Sequence, residues 1–143
     1  MTCRLGTTSE KERVLRIRPQ AEALLTNDEG GYLLVAEEGG ELLGFAAVFR
    51  REIPAPVGKD EAFINVIEVF EEAHRRRGVA SAMVREILAV ERERRTYQVR
   101  AYCDIGNVAS HRLWASVGFG VAPVSVSGRV VGSYATYVLD CPR

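Results

Sequence analysis

The chain has no excess of either charge: Lys plus Arg number 19, Asp plus Glu number 19, and the formal net charge is zero. A general electrostatic pull toward nucleic acid or an anionic membrane is therefore missing, and any anion site must be built locally. No apolar run approaches the roughly 20 residues of a membrane span. The opening MTCRLGTTSEKER also lacks the apolar core of a signal peptide. Cysteines are few: Cys3, Cys103 and Cys141 are odd in number and show no close-paired spacing. That argues against a disulfide framework or a zinc cluster and suits a reducing compartment. Neither is needed for folding, because a chain of 143 residues can bury about 68% of the surface its unfolded form exposes. The expectation is one domain over residues 1–143, soluble, cytoplasmic and without a metal.

What is present is a mixture of helical and strand-like patterns. Ser9 and Glu12 have capping-box spacing, and Val14, Leu15, Ile17, Ala21, Leu24 and Leu25 follow at helical intervals up to Asn27. Pro19 interrupts them, which predicts a kink near Arg18 or two short helices in succession. No clear strand precedes Ser9. Residues 32–36 and 42–49 read as a hairpin around Gly39 and Gly40, and residues 50–61, with Pro54, Pro56 and Gly58, read as a loop. Residues 62–70 (AFINVIEVF) are apolar on both alternating faces, as in a central strand covered on both sides. A wide apolar stripe with Val79, Met83, Ile87 and Val90 then marks a helix ending near Arg95, whose final Glu91 and Arg95 read as a solvated pair. Residues 97–103 read as a strand, 107–117 as a short helix stopped by Gly118, and 119–126 with 130–139 as a closing hairpin. This order implies an α/β layered domain with antiparallel pairs at both ends of the sheet and a parallel crossover in the middle.

The segment richest in chemistry is Arg75-Arg76-Arg77-Gly78-Val79-Ala80-Ser81, where a central strand gives way to a helix. Gly78 lets the backbone approach a ligand, and the unpaired amides of the first helical turn point outward with the positive end of the helix dipole behind them. That is a cradle for a pyrophosphate, with guanidinium groups at its rim. The plain alternative, a solvated charge run with a packing glycine, is the better reading of an isolated RRRG. The buried strand before it and the amphipathic helix after it favour the cradle. Arg75, Gly78 and Ala80 also match the signature of the GNAT superfamily of acyl-CoA-dependent N-acetyltransferases, which the chain resembles. Asn107-Val108-Ala109-Ser110, Leu113-Trp114 and Ser116-Val117-Gly118-Phe119 are similar to the family's asparagine-led helix ending in Gly-Phe.

The resemblance covers nearly the whole chain. It implies the GNAT fold, a mixed, mostly antiparallel sheet splayed between its fourth and fifth strands and flanked by about four helices, with acetyl-CoA lying in the opening. Carried over, Glu68, Val69 and Phe70 would meet the pantetheine, Arg75, Arg76, Arg77, Gly78, Val79, Ala80 and Ser81 the phosphates, and Asn107 with Ser110 the pantetheine from the other wall. The connector from Val69 to Gly78 is one residue longer than the commonest family pattern, so the strand register is assigned to within about one residue. The family's frequent acid, a tyrosine seven residues after the helix asparagine, is here Trp114, which cannot donate a proton to a thiolate. Tyr102, Tyr134, Tyr137 or a water is left for that role, with Tyr102 taken as the candidate.

Transfer to an amine requires a free nitrogen lone pair, and Glu68, interrupting an apolar strand, is the candidate base. The alternative for Glu68 is an arginine-paired strand carboxylate without chemistry. A strand amide at Val69 or Phe70 is the candidate oxyanion donor. His74, His111 and Cys103 read as structural or surface groups. The implied activity is direct acetyl transfer from acetyl-CoA to a primary amine through a ternary complex, with a homodimer as a further family expectation. The competing readings are an acyl-CoA-binding regulatory module without turnover and an RNA-interaction domain using the Arg75 to Arg77 and Arg92 to Arg95 clusters.

Overall fold

The computed structural model describes residues 1–25, 30–53, 57–75 and 77–139. Seven strands form one sheet in the order β1-β2-β3-β4-β5-β7-β6. They are β1 (Thr2–Leu5), β2 (Tyr32–Glu38), β3 (Glu41–Ile53), β4 (Lys59–Val69), β5 (Gln98–Asp104), β6 (Gly120–Val126) and β7 (Arg129–Val138). The helices are α1 (Thr8–Ile17), the short α2 (Glu72–Arg75), α3 (Val79–Glu93) and α4 (Val108–Ser116), with a 3-10 helix at Pro19–Leu24. Every strand pair is antiparallel except β4 with β5. The expected α/β layering with a single parallel crossover is what the chain adopts.

Strand alternation sorts the core into two layers. Leu34, Leu43, Ile64 and Val99 pack with Met83 and Ile87 of α3 and Trp114 of α4 on one face of the sheet. Val35, Phe45 and Ala47 pack with Val14 of α1 and with Ala21 and Leu25 on the other. Val79, Met83, Val84 and Ile87 are fully buried. At about 1.5–3 kcal/mol for each buried side chain, α3 is held firmly and its first turn is fixed in place. The other end of α3 is locked by Glu91, which is 1% exposed. Its carboxylate accepts hydrogen bonds from the Tyr32 and Thr96 hydroxyls, both at 2.7 Å, and from Arg50 at 3.4 Å. The solvated Glu91–Arg95 pair read from the sequence is therefore replaced by a buried, fully partnered carboxylate. Burial and hydrogen bonding to the carboxylate also hold the Tyr32 hydroxyl well above the usual phenol range.

Three further expectations change. A strand does precede the first helix: β1 pairs with β2 from Thr2↔Glu37 to Leu5↔Leu34. Its four residues alternate too weakly to show in the sequence. Residues 50–61 are not one loop. The β3–β4 ladder continues through Arg50↔Ala62, Arg51↔Glu61 and Ile53↔Lys59. Charged side chains hold this extension: Arg51 pairs with Glu61 and lies over the Phe63 ring, and Arg50 donates to Asp60 at 3.2 Å. The helical start lies two residues earlier than Ser9, because Glu10 accepts from the Thr7 amide at 3.1 Å and from its hydroxyl. The expected break at Pro19 is present as α1 followed by the 3-10 helix. Asn27, Pro54, Pro56, Arg76, Cys141 and the Arg75 side chain lie outside the described residues. Among the described residues, no helix is long and apolar enough to cross a membrane.

Glu10 supplies a pH prediction. Hydrogen bonds from Thr7, then from Arg4, lower its carboxyl to about 2. A depressed folded value means that the stabilisation is complete above the unfolded value of about 4.3 and is lost as pH falls toward 2. Acid melts should show α1 loosening over that interval, and Glu10→Gln should remove this part of the pH dependence.

Candidate functional site

The parallel pairing of β4 with β5 runs only from Glu61↔Gln98 to Ile64↔Ala101. Beyond Ile64 the strands separate, with β4 continuing to Val69 and β5 to Asp104. Asn65 marks the point of divergence: Ala47 opposes Val66 and Val48 opposes Ile64, so Asn65 is the extra residue of a bulge. A bulge raises local twist and turns β4 away from its neighbour. The opening so made is a cleft of about 520 Å³, inside the usual range for a ligand site. Ile67, Glu68 and Val69 form its β4 wall, Gly78, Ala80 and Ser81 its α3 end, and Asn107, Ala109, Ser110, Arg112, Leu113 and Ser116 its α4 wall.

Gly78 caps α3 in the left-handed region, at φ 77° and ψ 23°. A Cβ built there would meet no atom of the described residues within 4 Å, its chain neighbours aside. The left-handed backbone thus favours glycine, and the space above it is open to a ligand. Gly78 offers no side-chain cap to α3, so the amides of Val79, Ala80 and Ser81 have the outward, electropositive character of an uncapped helix start. Gly44 serves the opposite need. A Cβ at Gly44 would lie 2.4 Å from the Glu68 carbonyl oxygen and 3.2 Å from Val69 Cα, so β3 approaches β4 closely behind the cleft wall. Gly44→Ala should push β4 out of place and cost about 1–3 kcal/mol as an overpacking change, read as a lower denaturation midpoint.

Glu68, Val69, Gly78, Ala80, Ser81, Asn107 and Ser110 come together as the sequence reading requires. Asn107 is the α4 N-cap, its Oδ1 accepting from the Ser110 amide at 3.1 Å. That bond commits the oxygen and leaves the amide nitrogen as the side chain's donor. The assignments of Phe70 and Arg77 change. Phe70 turns to the α1 face, where its ring stacks on Phe45 at 5.6 Å, and Ile67 takes its place in the cleft. The Phe70 amide donates to Leu43 O at 2.9 Å, which removes it as an oxyanion donor. Strand alternation directs the Val69 amide to the other side, away from β3. The Val79 side chain is buried in the core, which leaves the reading of a cradle made from main-chain amides unchanged. Arg77 is drawn to Glu38 at 2.7 Å and does not line the cleft.

Tyr102 also lies away from the cleft lining. Its hydroxyl donates to Val131 O at 3.3 Å, and its ring meets Tyr134 edge-on. Loss of hydration, then the neighbouring Asp104, raises the hydroxyl above its ordinary value. Trp114 is buried and packs against Phe119 at 5.0 Å, a core role. His111 is tied into the same layer: Nδ1 bonds Asn107 O at 2.8 Å, and Nε2 lies 3.2 Å from Ser133 Oγ and 3.6 Å from Cys103 Sγ. Burial pushes the Cys103 thiol up, with Asp104 adding to the effect. Sequence reasoning missed Ile67, Ala109, Arg112, Leu113 and Ser116. The last four follow Asn107 at helical spacing, so the pattern existed but its direction did not.

Glu68 projects from β4 to the face carrying Val66 and Phe70 and reaches the cleft where the strands part. Arg18, at the break between α1 and the 3-10 helix, brings Nε to 2.8 Å from Glu68 Oε2. The two form an ion pair, yet that oxygen is buried and accepts no hydrogen bond among the described residues. The Arg18 guanidinium also lies over the Phe70 ring at 5.7 Å. A carboxylate ion-paired with Arg18 therefore stands at the opening between the two faces of the sheet.

The same architecture occurs in solved structures. The ribosomal-protein-alanine N-acetyltransferase of Brucella melitensis is 21% identical, with a TM-score of 0.74 over 97% of this chain and 100% of that one. The ribosomal-protein-S18-alanine N-acetyltransferase of Escherichia coli is 16% identical, with a TM-score of 0.74 over 99% of this chain and 96% of that one. A GNAT family acetyltransferase of Elizabethkingia anophelis, solved with acetyl-CoA bound, is 15% identical, with a TM-score of 0.70 over 96% and 97% of the two chains. No curated protein sequence gives a significant match. The model of the acetyltransferase (GNAT) family matches residues 5–119. With the family model spanning most of the chain and the splayed sheet in place, the protein belongs to the GNAT acetyltransferase family.

Proposed function

We propose that the protein transfers the acetyl group of acetyl-CoA to a primary amine. The observation that carries this reading is the cleft itself, which runs from the parted β4 strand to a glycine-capped helix start with open space above it. The α3 amides and Gly78 receive the diphosphate, Asn107 and Ser110 border the pantetheine, and the thioester lies against β4. The acceptor approaches from the Glu68 face. Its nitrogen attacks the thioester carbon, its proton passes to Glu68 directly or through water, and the carbon–sulfur bond breaks to release thiolate.

Two magnitudes shape this chemistry. Freeing a lysine-like amine of its proton at pH 7 costs about 4–5 kcal/mol, whereas a chain-terminal α-amine costs only about 1 kcal/mol. A base is thus worth most for side-chain amines, and α-amines are the easier acceptors. A thiolate of ordinary pKa near 8.5 leaves at pH 7 with a penalty of about 2 kcal/mol. A dedicated acid is therefore dispensable, consistent with a cleft whose described lining has no phenol.

The neighbours named for alanine acetylation make peptides with an N-terminal alanine the first acceptors to try. The test is acetyl-CoA consumption across α-amine peptides, lysine-like amines and small amines, run beside a binding titration of acetyl-CoA. Turnover with one acceptor class supports transfer. Tight binding with no turnover across the panel supports instead an acyl-CoA-binding module, the reading favoured by Trp114 standing where a catalytic tyrosine would serve.

A further inference from the structure

Among the described lining residues only two carry charge, Glu68 on the β4 wall and Arg112 on the α4 wall. Arg112 is exposed and has no ion-pair or hydrogen-bond partner among the described residues. Ala109 and Ser116 lie three residues before it and four after it on the same helical face, both small and both lining the cleft. Arg77 is in the opposite situation: it is paired with Glu38 at 2.7 Å and approaches His74 Nδ1 at 3.5 Å. To serve as a phosphate ligand it would first have to give up that partner.

A helix start offers roughly half a positive charge. That is too little to balance a diphosphate, so a full cation is needed beside it. We propose that Arg112, rather than Arg77, supplies this charge, so that the phosphates of the carrier are held between the α3 amides and a guanidinium from α4. The assignment rests on reading the cleft as the acetyl-CoA site. Its physical basis is the planar fork of arginine, which can place two parallel N–H bonds on one phosphate. An unpaired, exposed guanidinium also gives up less than a salt-bridged one when it binds.

The test compares the unsubstituted protein with Arg112→Ala, Arg112→Lys and Arg77→Ala, all shown to be folded by thermal melting. Each is titrated with acetyl-CoA and with S-acetylpantetheine, which has the thioester arm but no phosphates. Arg112→Ala should weaken acetyl-CoA binding about 10- to 100-fold, the range for losing hydrogen bonds to a charged group, and leave S-acetylpantetheine unchanged. Arg112→Lys should recover part of the loss, and Arg77→Ala should bind nearly as the parent does. Raising the salt should weaken acetyl-CoA binding in the parent more than in Arg112→Ala. Equal binding of acetyl-CoA by Arg112→Ala and the parent overturns the assignment, as does equal weakening toward both ligands. If the parent binds neither ligand, the reading of the cleft fails and this assignment with it. If the parent binds acetyl-CoA and only Arg77→Ala is impaired, the cleft stands and Arg112 alone is wrong.

Discussion

Replacing Gly78 by glutamate is expected to weaken acetyl-CoA binding on the order of 100-fold or more in a protein that still folds. The backbone at this position is left-handed, at φ 77°, and any side chain there carries a strain of about 1–2 kcal/mol. That is affordable against a total stability of about 5–15 kcal/mol. Among the described residues, apart from its chain neighbours, no atom stands within 4 Å of the new Cβ, so the added Cβ meets no clash there. The damage falls on the ligand, because a carboxylate would stand where the diphosphate meets the α3 amides. Like charges brought together cost several kcal/mol, so affinity should fall on the order of 100-fold or more. Gly78→Ala carries the same strain without the charge and should show only a modest loss. Calorimetric titration of the two variants, with melting curves as the folding control, separates backbone strain from electrostatic exclusion.

Glu68→Gln is expected to lower turnover by about 10²- to 10⁴-fold, the usual contribution of a positioned general base. Acetyl-CoA affinity should change little, because the substitution keeps the shape of the side chain on the β4 wall. The loss should also depend on the acceptor. With a lysine-like amine it should shrink as pH rises toward about 10, where the acceptor deprotonates without help. With an α-amine the same convergence should come near pH 8. A uniform loss at every pH would point to a role for Glu68 in holding Arg18, its ion-pair partner at 2.8 Å, and not in proton removal.

The central strand, the crossover and the glycine-capped helix were legible because each follows from a local pattern. Residues 62–70 are apolar on both faces, α3 carries a wide apolar stripe, and Gly78 sits between them. The break at Pro19 was legible for the same reason, since its cause is covalent. What stayed hidden depends on partners distant in the chain. β1 exists through its ladder with β2, and the end of β3 through Arg51 and Glu61 meeting across the hairpin. Glu91 looks like any acid near a helix end until Tyr32 and Thr96 close over it.

In the site, β4 lines the cleft with Ile67, Glu68 and Val69, where the carried-over register has Glu68, Val69 and Phe70 to within about one residue. The bulge at Asn65 resets which side chains face the opening. Composition gives no sign of where such a bulge falls. The sequence reading assigned Arg77 to the phosphates and did not single out Arg112. Only the position of Glu38, 39 residues from Arg77, shows which arginine is already engaged.

The placement of the carrier is the most direct measure of the whole account, and a crystal structure of the protein soaked with acetyl-CoA would give it. The diphosphate should lie on the amides of Val79, Ala80 and Ser81, with the pantetheine between β4 and α4 and the thioester beside Glu68. A cleft left empty at saturating acetyl-CoA, or phosphates bound away from Gly78, would contradict it.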